Sequence, residues 1–572
     1  MTIKIAGESG QGINSIGEIL AKALKNSGFD LFGYREYPSL IKGGVASYQL
    51  DFSDKKLSSP SKKVDLLVCV SRTSVVSYLK DLKDGGILVH SIASLKFSSE
   101  EKEHILNKSI EIIEVNAEQI AMLHGAKKIM SNVVLIGFIW NSFGLEYDIL
   151  EEIVLDRYGK KEEYLEMNRN VLKAGYETTN EMMSKMRVTF SPDQSNKETY
   201  ILTGNEAISL GAYAGGLRSF YAYPMTPASS ILTYLAQTSK DTGILVHQVE
   251  DEITAAQMSL GSMYMGTRSM TGTSGGGFDL MTESLSLSGM AEIPWVCVLA
   301  QRPGPATGVP TWTATGDLNL AIYSGHGEFP RCVLAVSDIE SSYRLIQVAL
   351  NIAESYQIPV ILLTEKHVAE SLYNTEMLEE PIDLERGDAG VLEEYKHSDR
   401  YAFTENGVSP RWFPGSSNAT YTTNSDEHIF DGSLTEDSES IIAMMDKRMK
   451  KLDTLYESLP EPVLYGSKDP EILLVGWGSV KSTIIDAMNL LDQNKYNVGY
   501  LHYEYLYPFK TELLIQLSHK AKTTTIFESN KTGQLESLIL KESGIQFDGN
   551  FRKYDGRPYF LEEVYKFIER MQ

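Results

Sequence analysis

Cysteine is scarce: Cys69, Cys297 and Cys332 are the 3 thiols in 572 residues. They lie far apart and no C-x-x-C occurs. That excludes a disulfide scaffold and leaves the chain without an iron–sulfur or zinc motif of its own. No metal site is expected in it, and so few thiols fit a reducing cytoplasm. No run approaches the ~20 apolar residues of a membrane span. Met1 leads directly into the strand-like TIKIAG, without the basic and apolar stretches of a secretory signal. The expectation is a cytoplasmic protein with no membrane partner. Positive charge is also short: 53 Lys and Arg stand against 76 Asp and Glu, a net charge of −23. Such a surface argues against nucleic acid or anionic lipid as the main partner and suits one with basic patches. G-x-S-x-G, H-E-x-x-H and Ser/His/Asp arrangements are missing. His90, His247 and His326 stand outside any ligand-like spacing and read as core or surface histidines.

At roughly 150 residues per domain, the length predicts three or four domains. Hydrophobic residues make up 42% and charged residues 23%, which excludes a disordered, collagen-like or coiled-coil chain. Apolar runs such as VDLLVCV, GILVHS, IPWVCVLA, IPVILLTEK and EILLVGWGS alternate with helical spacing, as in INSIGEILAKALKNSG. Strands alternating with helices imply a multidomain α/β fold, each domain a largely parallel sheet covered by helices. The expected divisions are residues 1–187, a polar linker over 188–199, a second unit over 200–379, a connecting segment over 380–465 and a third unit over 466–572. The connecting segment is rich in Asp, Glu, Ser and Asn. Its aromatics argue for an ordered excursion rather than disorder.

Several short stretches carry possible chemistry. Gly7, Gly10 and Gly12 sit between a strand and a helix, either as a phosphate loop or as a tight turn without ligand. Their spacing, G-x-x-G-x-G, is neither the dinucleotide fingerprint nor a Walker loop. REYPSLIKGG, which contains Lys42, is either a functional loop or an exposed turn. In YAYPMTPAS two prolines bracket Thr226, which either presents its hydroxyl or caps the next helix. Glu250, Asp251 and Glu252 open an Ala-rich helix, where carboxylates are commonly just stabilising. TGTSGGGFDLMTE adds four glycines and three hydroxyls before a helix. In QRPGPATGVPT, Arg302 is the natural partner of a substrate carboxylate, or else part of a structural ion pair.

Taken together, these stretches resemble one family: the α subunit of the 2-oxoacid:ferredoxin oxidoreductases, in the form with a γ domain fused at the N-terminus. GESGQGINSIGEILA and REYPSLIKGGVASYQL are similar to the γ domain. GNEAISLGAYAGG, YPMTP, EDEITAAQMSLGS, MTGTSGGGFDLMTE and RPGPATGVPT resemble the pyrimidine-type thiamine domain, and ESNKTGQL and KYDGRPY the end of the subunit. The resemblance runs over nearly the whole chain in the family's order. It implies a γ-type domain over 1–187, a pyrimidine-type thiamine diphosphate domain over 200–379 and a transketolase-C-terminal-like α/β domain over 466–572.

The resemblance further implies a shared site. Thiamine diphosphate lies between the α subunit and a β subunit that holds the diphosphate, Mg²⁺ and a [4Fe-4S] cluster. The chain agrees by omission, having no G-D-G and no cysteine cluster, so it is expected to be inactive alone. Glu252 matches the glutamate on the aminopyrimidine, with Tyr223, Pro224, Thr273 and Ser274 beside the cofactor. Thr226 and Arg302 match residues that hold the 2-oxo acid, with Thr311 in support and Lys42 reaching the substrate or CoA end. The implied reaction is 2-oxo acid plus CoA plus oxidised ferredoxin giving acyl-CoA, CO₂ and reduced ferredoxin. 2-Oxoglutarate is the first candidate, then pyruvate or a broad range, in an αβ or (αβ)₂ assembly. Trp312 and Ala314 depart from the family pattern. Two rivals remain: a nicotinamide dehydrogenase using Gly7–Gly12 with Asp30 on the ribose, and a non-catalytic scaffold subunit.

Overall fold

The computed structural model describes residues 1–40, 43–158, 162–376, 378–389, 399–415, 420–492 and 495–571. The chain forms two compact units. One comprises Met1–Leu202, Ser371–Met377 and Phe560–Val564; the other comprises Thr203–Glu370, Leu378–Tyr559 and Tyr565–Gln572.

The first unit is built on an eight-stranded sheet in the order Glu111–Glu114, Leu82–His90, Val64–Cys69, Thr2–Glu8, Val45–Ser53, Asp30–Glu36, Leu372–Thr375, Tyr200–Thr203. The first four strands are parallel. The expectation of a largely parallel sheet fails in the other half, where Val45–Ser53 runs antiparallel to both of its neighbours. The segment from 37 to 44 is too short for the dozen or more residues of a parallel crossover, so the two strands it joins run antiparallel. Leu372–Thr375 and Tyr200–Thr203, expected in the second unit, extend this sheet instead.

That topology also corrects the nicotinamide rival. A dinucleotide fold sets the strand after the first helix directly beside the first strand and parallel to it. Here Val45–Ser53 intervenes, and buried Asp30 accepts the Leu57 N–H at 3.0 Å. The apolar helix Ser131–Phe143 is buried in this unit's core. Among the described residues no single helix is long and apolar enough to cross a membrane.

The second unit carries two sheets. The seven-stranded one runs Tyr505–Tyr507, Cys332–Ala335, Pro359–Glu365, Trp295–Gln301, Ser269–Thr273, Ser219–Ala222, Leu245–Gln248. It is parallel except for Tyr505–Tyr507, which crosses over from the C-terminal part to pair antiparallel with Cys332–Ala335. Trp295–Gln301 and Pro359–Glu365 are buried along their whole length, as strands covered on both faces are. The five-stranded sheet runs Val463–Gly466, Val498–Tyr503, Ile472–Trp477, Thr523–Glu528, Gly549–Arg552. One apolar core joins both, with Trp295 and Leu299 packed in the same cluster as Leu473, Leu501 and Ile526.

Buried charges fasten Arg386, Arg400 and Arg411, from the described parts of 380–437, and the helix Ser438–Ser458. Glu354 accepts from Arg268 at 2.6 Å and from Arg386 and Arg411 at 2.7 Å. Glu292 pairs with Lys447 at 2.6 Å and Lys451 at 2.5 Å, and its carbonyl accepts from Arg400 at 2.9 Å. Burial alone would raise the Glu292 carboxyl. The two ammonium groups outweigh burial and hold it below the usual carboxylate range.

Candidate active site

Four neighbouring parallel strands of the second unit, Trp295–Gln301, Ser269–Thr273, Ser219–Ala222 and Leu245–Gln248, end on the same edge. Open α/β sheets bind ligands at the carboxyl ends of their strands. The loops leaving these four ends hold Arg302, Ser274, Thr226 and Glu252.

The three consecutive acids divide their work. Asp251 caps the helix Glu252–Tyr264 by accepting the Thr254 N–H at 2.7 Å, and exposed Glu250 accepts the Thr254 hydroxyl at 3.0 Å. Glu252 is 4% exposed, and its Oε1 is buried with no hydrogen-bond partner among the described residues. A buried carboxylate oxygen left in that state is costly, so the site calls for a donor from a bound group.

The glycine-rich turn wraps around this oxygen. A Cβ at Gly277 would lie 2.7 Å from Glu252 Oε1 and 2.1 Å from Thr273 Oγ1, so only glycine fits. Over Gly276 the space is open, with the Ala306 carbonyl the nearest atom at 4.0 Å. Thr273 is fully buried with its hydroxyl 3.8 Å from Met225 Sδ, and the buried Ser274 Oγ has no partner among the described residues. An aminopyrimidine ring carries donors and acceptors on one edge. The orphaned Glu252 and Ser274 oxygens, together with a turn bare of side chains, fit such a ring.

The YPMTP loop is held from two sides. Fully buried Asn205 donates to the Pro227 carbonyl at 2.8 Å and to Ser230 Oγ at 2.6 Å. Arg302 donates to the Thr226 carbonyl at 2.7 Å, through a peptide that is cis at Thr226–Pro227. Ala228 occupies the N-cap of Ser229–Thr242, so Thr226 is not the helix cap. Tyr223 is 40% exposed and Pro224 is exposed beside it.

No carboxylate among the described residues lies within 4.0 Å of Arg302, so it is not held in a structural ion pair. Burial lowers its pKa and the nearby charge of Asp317 opposes this. Thr311, Thr313 and Thr315 alternate inward and are buried. Thr313 donates to Glu365 at 2.5 Å. The intervening Trp312, a departure noted in the sequence, stacks under Arg557, whose Cζ is 3.3 Å from the ring centre. Asn205, Gly277 and Asp317 escaped the sequence reading. Asn205 and Gly277 lie in quoted motifs and Asp317 lies just beyond one, but none has a spacing that marks it.

The glycine loop of the first unit borders a cavity of about 620 Å³, lined among others by Gly10, Gly12, Lys127, Ser131, Asn132 and Tyr164. Gly10 and Gly12 have φ of 93° and 75°, and Asn132 donates to the Gln11 carbonyl at 2.9 Å. Lys42 lies outside the described residues.

Comparison with known proteins meets this geometry. Residues 210–447 match the family described as pyruvate flavodoxin/ferredoxin oxidoreductase, thiamine diphosphate-binding, and residues 2–178 match pyruvate ferredoxin/flavodoxin oxidoreductase. The 2-oxoacid:ferredoxin oxidoreductase subunit alpha of a Sulfolobus species is 31% identical over 98% of this chain and 95% of its own length. The chain belongs to the 2-oxoacid:ferredoxin oxidoreductase family. The 2-oxoglutarate oxidoreductase subunit KorA of Mycobacterium tuberculosis is 27% identical over 99% of this chain and 91% of its own. Among solved structures, the 2-oxoglutarate:ferredoxin oxidoreductase from Magnetococcus marinus, with 2-oxoglutarate, coenzyme A and succinyl-CoA bound, superposes with a TM-score of 0.90 at 29% identity. It covers 100% of this chain and 99% of its own. Within the family this chain is an alpha-type subunit, and its fold is the multidomain α/β architecture.

Proposed function

We propose that this chain is the α subunit of an enzyme that oxidatively decarboxylates a 2-oxo acid onto CoA and reduces ferredoxin. It acts with a β subunit carrying the cofactor's diphosphate, Mg²⁺ and a [4Fe-4S] cluster. The reading rests above all on Glu252 Oε1, an unpartnered buried oxygen against a bare glycine turn. Bound thiamine diphosphate supplies the sink for the electron pair left when C1–C2 of the oxo acid breaks. This chain's residues do the rest. Glu252 shares a proton with the aminopyrimidine, while Thr273 and Ser274 border the ring and Tyr223 and Pro224 close its side. Arg302, whose described partner is the Thr226 carbonyl, offers its remaining N–H groups to the substrate carboxylate. Thr226 and Thr311 flank that carboxylate.

2-Oxoglutarate is the first substrate, supported by the names of KorA and of the Magnetococcus marinus enzyme, with pyruvate or a broad range behind it. The cavity beside Gly10 and Gly12 suits the phosphates of CoA, with glycine N–H groups and Lys127 as donors. Lys42 is proposed at the substrate or CoA end, on the family resemblance alone.

The test is reconstitution with the partner encoded beside it. Thiamine-dependent CO₂ release in the complex, with only weak cofactor binding by the isolated chain, is expected. Micromolar Mg²⁺-dependent binding by the chain alone contradicts the shared site, and a complex without thiamine dependence makes the chain a scaffold. Arg302→Lys keeps the charge but loses the planar fork. Its oxo-acid kcat/KM should drop roughly 30-fold or more, with ferredoxin and CoA kinetics spared. Unchanged oxo-acid kinetics remove Arg302 from the site.

A further inference from the structure

Asp317 occupies the N-cap position of the helix Leu318–Tyr323, yet its side chain makes no cap hydrogen bond. Its backbone is fixed instead. The Asp317 N–H donates to Gln301 Oε1 at 3.0 Å, on the residue next to Arg302. The preceding Gly316 carbonyl accepts from Gln534 at 2.7 Å, and the Thr315 carbonyl from Asn530 at 3.2 Å. So mounted, the carboxylate faces the glycine turn: a Cβ at Gly275 would lie 3.0 Å from Asp317 Oδ2 and 3.4 Å from Oδ1. It stands between the turn beneath Glu252 and the loop bearing Arg302, a negative charge close to Arg302 but outside ion-pair distance of it.

The charged groups facing it are Asp279, on the helix Gly275–Leu280, and Arg302. Burial and then Asp279 push its carboxyl up to about 6, against the pull of Arg302. The group therefore changes charge near neutral pH.

Decarboxylation makes a particular demand on Arg302. Before the step, a full negative charge lies on the C1 carboxylate. As C1–C2 breaks, the electron pair stays on the C2 side and C1 leaves as neutral CO₂. A cation that grips the carboxylate stabilises the ground state more than the transition state, which slows the step. A fixed anion beside that cation weakens the grip and remains as counter-charge once CO₂ has gone. We infer that Asp317 is a positioning residue for the oxo-acid site, moderating the hold of Arg302 on the carboxylate that is to be lost. This rests on the reading of Arg302 given under Proposed function.

The test uses the reconstituted complex. Affinity is read by calorimetry with the monomethyl ester of a 2-oxo phosphonate, a monoanion that cannot lose CO₂. Chemistry is read as single-turnover CO₂ release. Asp317→Asn should bind the ester roughly three- to thirtyfold more tightly, the span expected of one partly screened charge. Its CO₂ release should slow, so that KM and the rate fall together. In the unchanged complex, ester affinity should rise as pH falls from 7.5 to about 5.5, with proton uptake on binding. Asp317→Asn should abolish that dependence and Asp317→Glu should retain it. Unchanged or weaker ester binding in Asp317→Asn, with a lowered melting temperature, indicates a structural role and overturns the inference. A flat pH profile of the unchanged complex overturns it even if the variant fails to assemble. Arg302→Gln is run in parallel. If it leaves ester affinity unaltered, the assignment of Arg302 fails; if it weakens binding while Asp317→Asn does not strengthen it, only the present inference fails.

Discussion

Gly277→Ala probes the cofactor cradle with a single methyl group. The added carbon would sit 2.1 Å from Thr273 Oγ1 and within 2.8 Å of both Glu252 Oε1 and Cγ. Contacts that short force a shift. Thr273 is fully buried on a central strand, and Glu252 is fixed as the first residue of its helix. The carboxylate is the freer of the two, so it is the group displaced. Overpacking of this kind costs about 1–3 kcal/mol. The loss is partly offset by about 1 kcal/mol of helix propensity gained on replacing glycine with alanine in Gly275–Leu280. The net stability loss should therefore be small, lowering the melting temperature by a few degrees.

The functional loss should be far larger. A misplacement of about 1 Å in a catalytic group can cost on the order of 100-fold in rate. Gly276→Ala is the control for stability, because its methyl group meets open space; it should match or exceed the parent in a thermal melt. The assays are a thermal melt of the isolated chain, thiamine diphosphate binding to the complex, and CO₂ release. Gly277→Ala with unaltered cofactor affinity and turnover would refute the claim that this turn cradles the ring against Glu252. A collapse in stability without a selective loss of cofactor binding would show that Gly277 serves packing alone.

Two further outcomes follow from the same geometry. Glu252→Gln should leave assembly intact and abolish oxo-acid turnover, since an amide cannot share the proton; Glu250→Gln, altering an exposed residue, should leave turnover near normal, and the reverse pattern would show that the wrong acid was chosen. Glu292→Gln strands Lys447 and Lys451 without their carboxylate and should cost about 3–5 kcal/mol, seen as a lowered melting temperature of the isolated chain; a loss below 1 kcal/mol would mean that water already solvates the pair.

The linear chain determined a good deal by itself. Strands such as Trp295–Gln301 and Pro359–Glu365 are continuous apolar runs, because burial on both faces leaves no room for polar alternation. The edge where four parallel strands end, proposed above as the cofactor site, drew notice in the sequence for a related reason. The residues proposed there lie at or just after the ends of Ser219–Ala222, Leu245–Gln248, Ser269–Thr273 and Trp295–Gln301, so strand, turn and helix are contiguous in sequence, and Glu252, Thr273, Ser274, Thr226 and Arg302 fall in short motifs. What depends on distant segments was not readable. The antiparallel half of the first sheet recruits Leu372–Thr375, hundreds of residues from its partner Asp30–Glu36, through backbone pairing that leaves no side-chain signature. Adjacent acids look alike on paper. Only the folded chain spends Asp251 on a cap, leaves Glu250 in water and buries the Glu252 oxygen without a partner. Nothing in the sequence around Asp317 marks a role for it. Its N–H donates to Gln301 Oε1, Gln534 donates to the carbonyl of neighbouring Gly316, and its carboxylate faces the glycine turn beside Arg302, because the charge a residue feels is set by what packs around it rather than by what precedes it in the chain.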